Sequence, residues 1–280
     1  MAVAVYPGCS LNGSSREYME SIRAVLECLN VKMDEVEDWN CCGSTAAHNI
    51  NSDIALALPS RILIQSGKKG TDDLLVPCAA CYNRLKTVWK DLNSSEAVRQ
   101  KAAALLDQEI SLPSNILNIL DYIQTALVPL LEGKITKPFR KRVACYYGCL
   151  LVRPQQLTGE PRVEDPQGME EIMKRIGATP VDWAFKTECC GAGFTMSQTQ
   201  TVARLSSALL SDATDHGAEA IIVACPMCHS NLDMRRKDIE KFSKRKFTIP
   251  VLYITQVIGL ALGLSHKELG LQRHFVPVTI

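Results

Sequence analysis

A chain of 280 residues with 31 Lys and Arg against 30 Asp and Glu has no charge excess to attract nucleic acid, and no run of like charges marks a basic arm or an acidic tail. Its length suits one large domain or two smaller ones with their own cores. Twelve cysteines stand behind a start, Met1-Ala-Val-Ala-Val-Tyr-Pro-Gly8, that lacks the basic and long apolar regions of a secretory signal, so the expected location is the cytoplasm and the expected use of cysteine is metal or redox chemistry, not structural disulfides.

In chain order, Ala2–Val5 is a short apolar run that reads as a buried parallel strand, and it leads through Tyr6-Pro-Gly to Cys9. From Arg16 to Leu29 the residues Met19, Ile22, Val25, Leu26 and Leu29 fall on one side of a helix. Cys28 lies inside it and reads as a small hydrophobe. The pair Cys41-Cys42 precedes Gly43, a helix is expected from Asp53 to Ser66, and a strand over Leu74–Val76 runs into Cys78-Ala-Ala-Cys81. Two more helices are expected, Ser94 to Ile110 and Asn115 to Leu131. The second carries a broad apolar stripe through Ile116, Leu120, Ile123 and Leu127, read as packing on its own domain. The basic run Lys134 to Arg142 reads as a linker.

The same order then returns. A strand over Arg142–Ala144 leads to Cys149, with Cys145 buried in it; a helix is expected from Met169 to Ile176; Cys189-Cys190 precede Gly191; a helix runs from Thr199 to His216; and a strand over Ala220–Ala224 runs into Cys225-Pro-Met-Cys228. The interval from Cys42 to Cys78 matches that from Cys190 to Cys225 within one residue. The interval from Cys149 to Cys189 is longer than that from Cys9 to Cys41, which places an insertion around Pro154 to Gly168. The reading is β-α-β given twice, an α/β fold of two pseudo-symmetric repeats with short parallel sheets, residues 1–135 and 141–280, and cysteines at the strand carboxyl ends where ligands of open α/β sheets gather. After Pro250 come a strand-like Val251–Thr255 and a helix. The apolar stretch Val257–Leu264 is far shorter than the roughly 20 residues a membrane crossing needs.

Four chemistries compete for the cysteines. Adjacent cysteines make strained disulfides. A structural zinc takes four ligands, one fewer than each half repeats, and seldom uses vicinal pairs. A dithiol oxidoreductase would use the two Cys-x-x-Cys turns and leave the vicinal pairs idle. An iron–sulfur cluster in each half uses all ten: Cys9, Cys41, Cys42, Cys78 and Cys81, then Cys149, Cys189, Cys190, Cys225 and Cys228. Gly191-Ala-Gly193 has Met196 where a dinucleotide-binding turn needs a third glycine, so neither flavin nor nicotinamide is expected, and Gly43 and Gly191 read as donors of backbone N–H groups to the cluster. Of five histidines, His48 and His229 lie near cysteine blocks; all read as ordinary surface or core residues. Tyr6, Trp39, Tyr146, Tyr147 and Trp183 read as packing around the sites.

The tandem pattern resembles the cysteine-rich CCG domain. Tyr146-Tyr-Gly-Cys-Leu-Leu-Val-Arg-Pro154, Glu188-Cys-Cys-Gly-Ala-Gly-Phe194 and the tail from Pro250 through Phe275 resemble the B subunit of heterodisulfide reductase. The resemblance implies two non-cubane four-iron, four-sulfur clusters facing one another, a disulfide substrate between them, and partners of two kinds, a ferredoxin-like protein and a flavoprotein. Tyr6-Pro-Gly-Cys-Ser-Leu-Asn-Gly13, Asn40-Cys-Cys-Gly-Ser44 and Leu150 depart from the methanogen form and point to a different disulfide or thiol. The rival reading is an electron-transfer subunit of a CCG-containing dehydrogenase or quinone-linked complex; a metal-stapled interaction module is a third.

Overall fold

The computed structural model describes every residue except Thr45, Thr71 and Ile280. Two four-stranded parallel sheets are built on one plan. Strands β1 (Ala2–Val5), β2 (Lys32–Glu35), β3 (Asp73–Val76) and β4 (Asn115–Asn118) lie in the order β2-β1-β3-β4; β5 (Arg142–Tyr146), β6 (Thr179–Pro180), β7 (Ala220–Val223) and β8 (Val251–Tyr253) lie in the order β6-β5-β7-β8. Each sheet thus reverses its strand order beside its first strand, which opens a crevice at the carboxyl ends there. The central strands are buried on both faces, with Val3, Ala4, Val5, Leu74, Leu75 and Val76 at the limit of zero exposure, as the unbroken apolar runs require.

Helices fill the crossovers at Arg16–Cys28, Ser52–Gly67, Gly168–Arg175 and Thr199–Asp215, within two residues of the expected bounds. The expected helix from Asn115 is corrected. Its first four residues pair with β3, and helix begins only at Ile119, where Asn118 Oδ1 accepts from the backbone N–H groups of Leu120 (2.8 Å) and Asp121 (3.0 Å). A π turn over Ile123–Leu127 then precedes Pro129, whose missing N–H cannot return to residue 125. The helix expected from Ser94 to Ile110 is Glu96–Leu106, which starts on the Ser95 cap, and a further helix, Ala79–Ser94, outside the expected set, precedes it. The insertion of the second half carries the short helix Gln155–Thr158. Among the described residues no helix is long and apolar enough to cross a membrane.

One continuous apolar core joins the halves. On one side of the junction Tyr18 stacks on Tyr253 at 4.0 Å, its hydroxyl donates to Ala224 O at 3.2 Å, and Ser21 Oγ meets Thr255 Oγ1 at 2.7 Å. On the other, Asn83 donates to Arg153 O at 3.3 Å, and a cavity of about 180 Å³ is walled by Asn118, Asp121 and Gln124 from the first half and by Tyr147, Leu151 and Glu160 from the second. Burial pushes the Asp121 carboxyl up to about 6 against the bond it accepts from Asn118. A carboxyl with a raised folded-state pKa binds its proton more tightly folded than unfolded, so its contribution to stability is present at low pH and is lost as pH rises through about 6. Asp121→Asn should flatten that fall; urea titrations from pH 4 to 7 that keep the same slope in the variant would rule this out.

Candidate metal centres

Each site grows from the end of a central strand. In the first half β1 ends in Tyr6-Pro-Gly, and Gly8 turns left-handed (φ +62°) so that Cys9 opens a short helical turn. A side chain at Gly8 would meet the Tyr6 ring at 3.2 Å and Cys81 Sγ at 3.4 Å. β3 delivers Cys78 as the N-cap of helix Ala79–Ser94 and Cys81 into its first turn, where free N–H groups and the positive end of the helix dipole oppose the rise that neighbouring thiols and burial impose on both. Cys42 Sγ lies 3.2 Å from Cys81 Sγ, and Gly43 N–H donates to Cys41 Sγ at 3.5 Å.

The second half repeats this nearly atom for atom. Gly148 (φ +65°) precedes Cys149, and a side chain there would come within 3.0 Å of Cys228 Sγ. Cys225 caps helix Pro226–Leu232, Cys190 Sγ lies 3.6 Å from Cys228 Sγ, and Gly191 N–H donates to Cys189 Sγ at 3.3 Å. Matching tyrosines brace both loops: Tyr6 donates to Asn40 O at 2.8 Å with Trp39 edge-on, and Tyr146 donates to Glu188 O at 2.7 Å with Trp183 tilted against it. Gly191 needs its left-handed turn, and a side chain there would press on Val202 and Leu205, whereas one at Gly193 would meet no protein atom within 4 Å.

In both sets the vicinal pair has one exposed member, Cys41 or Cys189, and one buried, Cys42 or Cys190. Both Cys-x-x-Cys pairs are buried, Cys9 is exposed and Cys149 half-buried. The thiols contest protons. Hydrogen bonds from Cys41 and then Cys81 pull Cys42 down to about 3 while pushing those partners up; Cys149 pulls Cys189 down to about 6 and is itself raised. Cys225 is lowered by Cys228 and by Cys78, its neighbour from the other half. Five crowded thiols that cannot all ionise alone are a donor set waiting for cationic charge. A single zinc with Zn–S near 2.3 Å would draw its thiolates to about 3.8 Å of one another. Among the described residues the trio with donor atoms all within 4.8 Å is His229, Asp233 and His274, not three cysteines. Cys28 and Cys145 stay outside both sets, in a helix end and a fully buried strand.

His229 is a satisfied core histidine: buried, stacked on Tyr253 at 4.2 Å and bonded to Val251 O at 3.1 Å. His48 is exposed. Three features are not visible in sequence spacing. Asn231 donates to Cys190 O (3.1 Å) and approaches Cys190 Sγ (3.6 Å). Cys78 and Cys225 meet across the halves. Behind Cys149, buried Lys186 pairs with Glu170 (3.0 Å) and Asp165 (2.8 Å), its carbonyl accepts from Tyr147 and Gly148, and the Tyr147 hydroxyl donates to Glu170. Lys186→Met would strip buried Glu170 of its cation and leave only the Tyr147 hydroxyl beside it, a loss of about 3–5 kcal/mol in urea unfolding; a loss under about 1 kcal/mol would mean that the pair is dispensable.

The profile of the cysteine-rich domain CCG matches residues 3–86 and again residues 143–233. The chain is 29% identical to the 8-methylmenaquinol:fumarate reductase membrane anchor subunit of Wolinella succinogenes, over 99% of this chain and 97% of that one. It is 27% identical to the B subunit of the ferredoxin/F420H2-dependent CoB-CoM heterodisulfide reductase of Methanosarcina acetivorans, over 98% and 93%. A hypothetical protein from Helicobacter pylori shares the fold, with a TM-score of 0.80 at 13% identity over 99% of this chain, which spans about half (52%) of that longer one. The chain belongs to the cysteine-rich CCG domain family, carries the domain twice, and resembles the B subunit of heterodisulfide reductase along nearly its whole length.

Proposed function

We propose that the chain is the disulfide-handling iron–sulfur subunit of a heterodisulfide reductase-like complex, holding one non-cubane four-iron, four-sulfur cluster in each half. The first would be held by Cys9, Cys41, Cys42, Cys78 and Cys81, the second by Cys149, Cys189, Cys190, Cys225 and Cys228, with residues 1–135 and 141–280 as the two binding units. The observation that carries the reading is the meeting of the two sets: Cys78 and Cys225, the caps of the two cluster-binding helices, are neighbours in the core. When bound, each cluster would supply one electron to one sulfur of a disulfide lying between them.

The residues set the stage for that exchange, R–S–S–R plus two electrons and two protons giving two thiols. Helix N-termini at Cys78 and Cys225 and the N–H groups of Gly43 and Gly191 stabilise negative charge on the ligating sulfurs. About 30 mV is worth roughly 1.4 kcal/mol for a two-electron couple, so a few such hydrogen bonds matter to the direction of the reaction. Electrons would enter from a ferredoxin-like partner served by a flavoprotein partner, with no membrane span of this chain's own. Some relatives' names give CoB-CoM as the disulfide; Leu150 and the Asn40–Ser44 loop support a different disulfide or thiol here.

The test uses anaerobically reconstituted protein, reduced and mixed with the coenzyme M–coenzyme B disulfide, glutathione disulfide and cystine. Two thiols released per disulfide, with matching loss of the reduced-cluster signal, is the expected result. Reoxidation by quinones or dyes with no thiol release, even with the ferredoxin-like and flavoprotein partners present, would sink it. The relay reading, favoured by the fumarate reductase relative, would then stand.

A further inference from the structure

Beyond the cysteine sets, the second half carries a groove of about 550 Å³ between helix Arg236–Ser243 and the C-terminal tail. Met234, Phe247, Phe275 and Val276 give it an apolar lining, and Phe275 is 65% exposed. Arg236 also lines it. That side chain is only 6% exposed; Nε donates to Leu232 O, and Nη1 donates to Phe247 O and Ile249 O, but Nη2 has no partner. A buried guanidinium edge left unsatisfied is costly, and its natural complement is a carboxylate taking it in a short charged hydrogen bond. Asp233 does not serve, because its carboxylate accepts from Phe275 and Val276, and Glu240 is engaged by Lys246 and by the Phe247 N–H.

The surroundings tell a macromolecule from a small acid. Residues 234–247 hold seven basic residues against two acidic, in a chain whose net charge is only +1. Arg235, Arg245 and Lys246 have acidic partners, whereas Lys237, Lys241 and Lys244 are exposed with none within 4 Å among the described residues. A field that broad suits an acidic protein face.

We propose that this groove docks an acidic partner protein, which inserts an aromatic or aliphatic side chain between Met234 and Phe275 and sets a neighbouring carboxylate on Arg236. The position fits electron delivery, a role that rests on the function proposed above, whereas the groove and its ligand class do not. Arg235 Nη2 bonds Thr195 O, Thr195 Oγ1 bonds Asn231 Oδ1 at 3.0 Å, and Asn231 reaches Cys190. Arg235, next in the chain to the groove residues Met234 and Arg236, thus begins a short hydrogen-bonded path from the edge of the groove to the second cysteine set, and electrons would enter through that half.

The test is a random-peptide display selection on the intact purified protein, which needs no cluster activity. Enriched peptides should pair Asp or Glu with an aromatic or aliphatic residue, and their binding should weaken about tenfold between roughly 0.05 and 0.5 M salt. Phe275→Ala and Lys237→Glu, both at exposed positions, should each weaken it at least about fivefold. Arg236→Lys serves for Arg236, since larger changes would strand the carbonyls it holds. Peptides without acids, or binding indifferent to Phe275→Ala and Lys237→Glu, would overturn the proposal. So would equal binding of N-acetylphenylalanine alone, which would make it a small-molecule site, or loss of vesicle binding to phosphatidylglycerol in the same variants, which would make it a membrane face.

Discussion

Replacing Cys42 or Cys190 by Ser is expected to remove one cluster and leave the other, taking iron from about eight atoms per chain to about four. Each is the buried member of its vicinal pair and faces the first turn of its own half's cysteine-bearing helix, Cys42 at Cys81 and Cys190 at Cys228, with no sulfur of the other half beside it in the hydrogen-bond network. Serine keeps the volume but lacks the soft thiolate that iron–sulfur clusters require. Cys78→Ser and Cys225→Ser should behave differently, because these two thiols shift one another's proton affinity across the halves, Cys78 upward and Cys225 downward. Each should cost its own cluster and also shift the electron paramagnetic resonance signal of the survivor. Iron and sulfide analysis with spectra of the four variants checks both claims. Loss of all iron in Cys42→Ser would show that the halves do not fill as separate units. Near-stoichiometric zinc in the wild-type protein would mean that one half is structural.

How much of this the sequence carried depends on what each segment buries. β1, β3, β5 and β7 were legible because a strand covered on both faces must be apolar throughout, as Ala220–Val223 is. β2 was not, since Lys32–Glu35 is a half-exposed edge strand with three charged residues in four, and β6 is two residues ending in proline. β4 hid inside a helical pattern, because Ile116 and Leu117 fit a helix stripe and only the Asn118 cap shows where the chain turns. Helix Ala79–Ser94 places Tyr82, Leu85, Val88 and Leu92 on its buried face, yet it starts at a cysteine that makes no side-chain cap bond, so no ordinary N-terminal signal announces it. That unusual start is itself the functional feature. The repeated order of ten cysteines, five in each half, is read from the sequence itself. The meeting of Cys78 with Cys225, the bond from Asn231 to Cys190 and the buried Lys186 pair arise from packing between distant segments, which no local pattern encodes.

Gly148→Ala should empty the second site selectively, and the reason separates backbone strain from occupancy of the cluster's space. At φ +65° any L side chain strains the backbone by about 1–2 kcal/mol. The added Cβ also stands 3.0 Å from Cys228 Sγ, tighter than an ordinary contact, so the sulfur must shift. Gly159→Ala isolates the first effect: its φ is +75° in the same half, but nothing lies within 4 Å of a Cβ there. Both variants should therefore lose similar stability in urea, while only Gly148→Ala loses iron, about four atoms per chain. Gly8→Ala is the counterpart in the first half, with Cys81 Sγ farther away at 3.4 Å and the Tyr6 ring at 3.2 Å. Its expected iron loss is smaller, because Cys81 Sγ at 3.4 Å need shift less than Cys228 Sγ at 3.0 Å. Full iron in Gly148→Ala would show that Cys228 has room to move and that the turn before Cys149 does not shape the site. Equal iron loss in Gly159→Ala would assign the whole effect to folding. Loss confined to the second site in Gly148→Ala, with Gly8→Ala weaker and confined to the first, would show that the left-handed glycine in front of each leading cysteine is a spacer. It keeps the chain off the very sulfurs that the cluster needs.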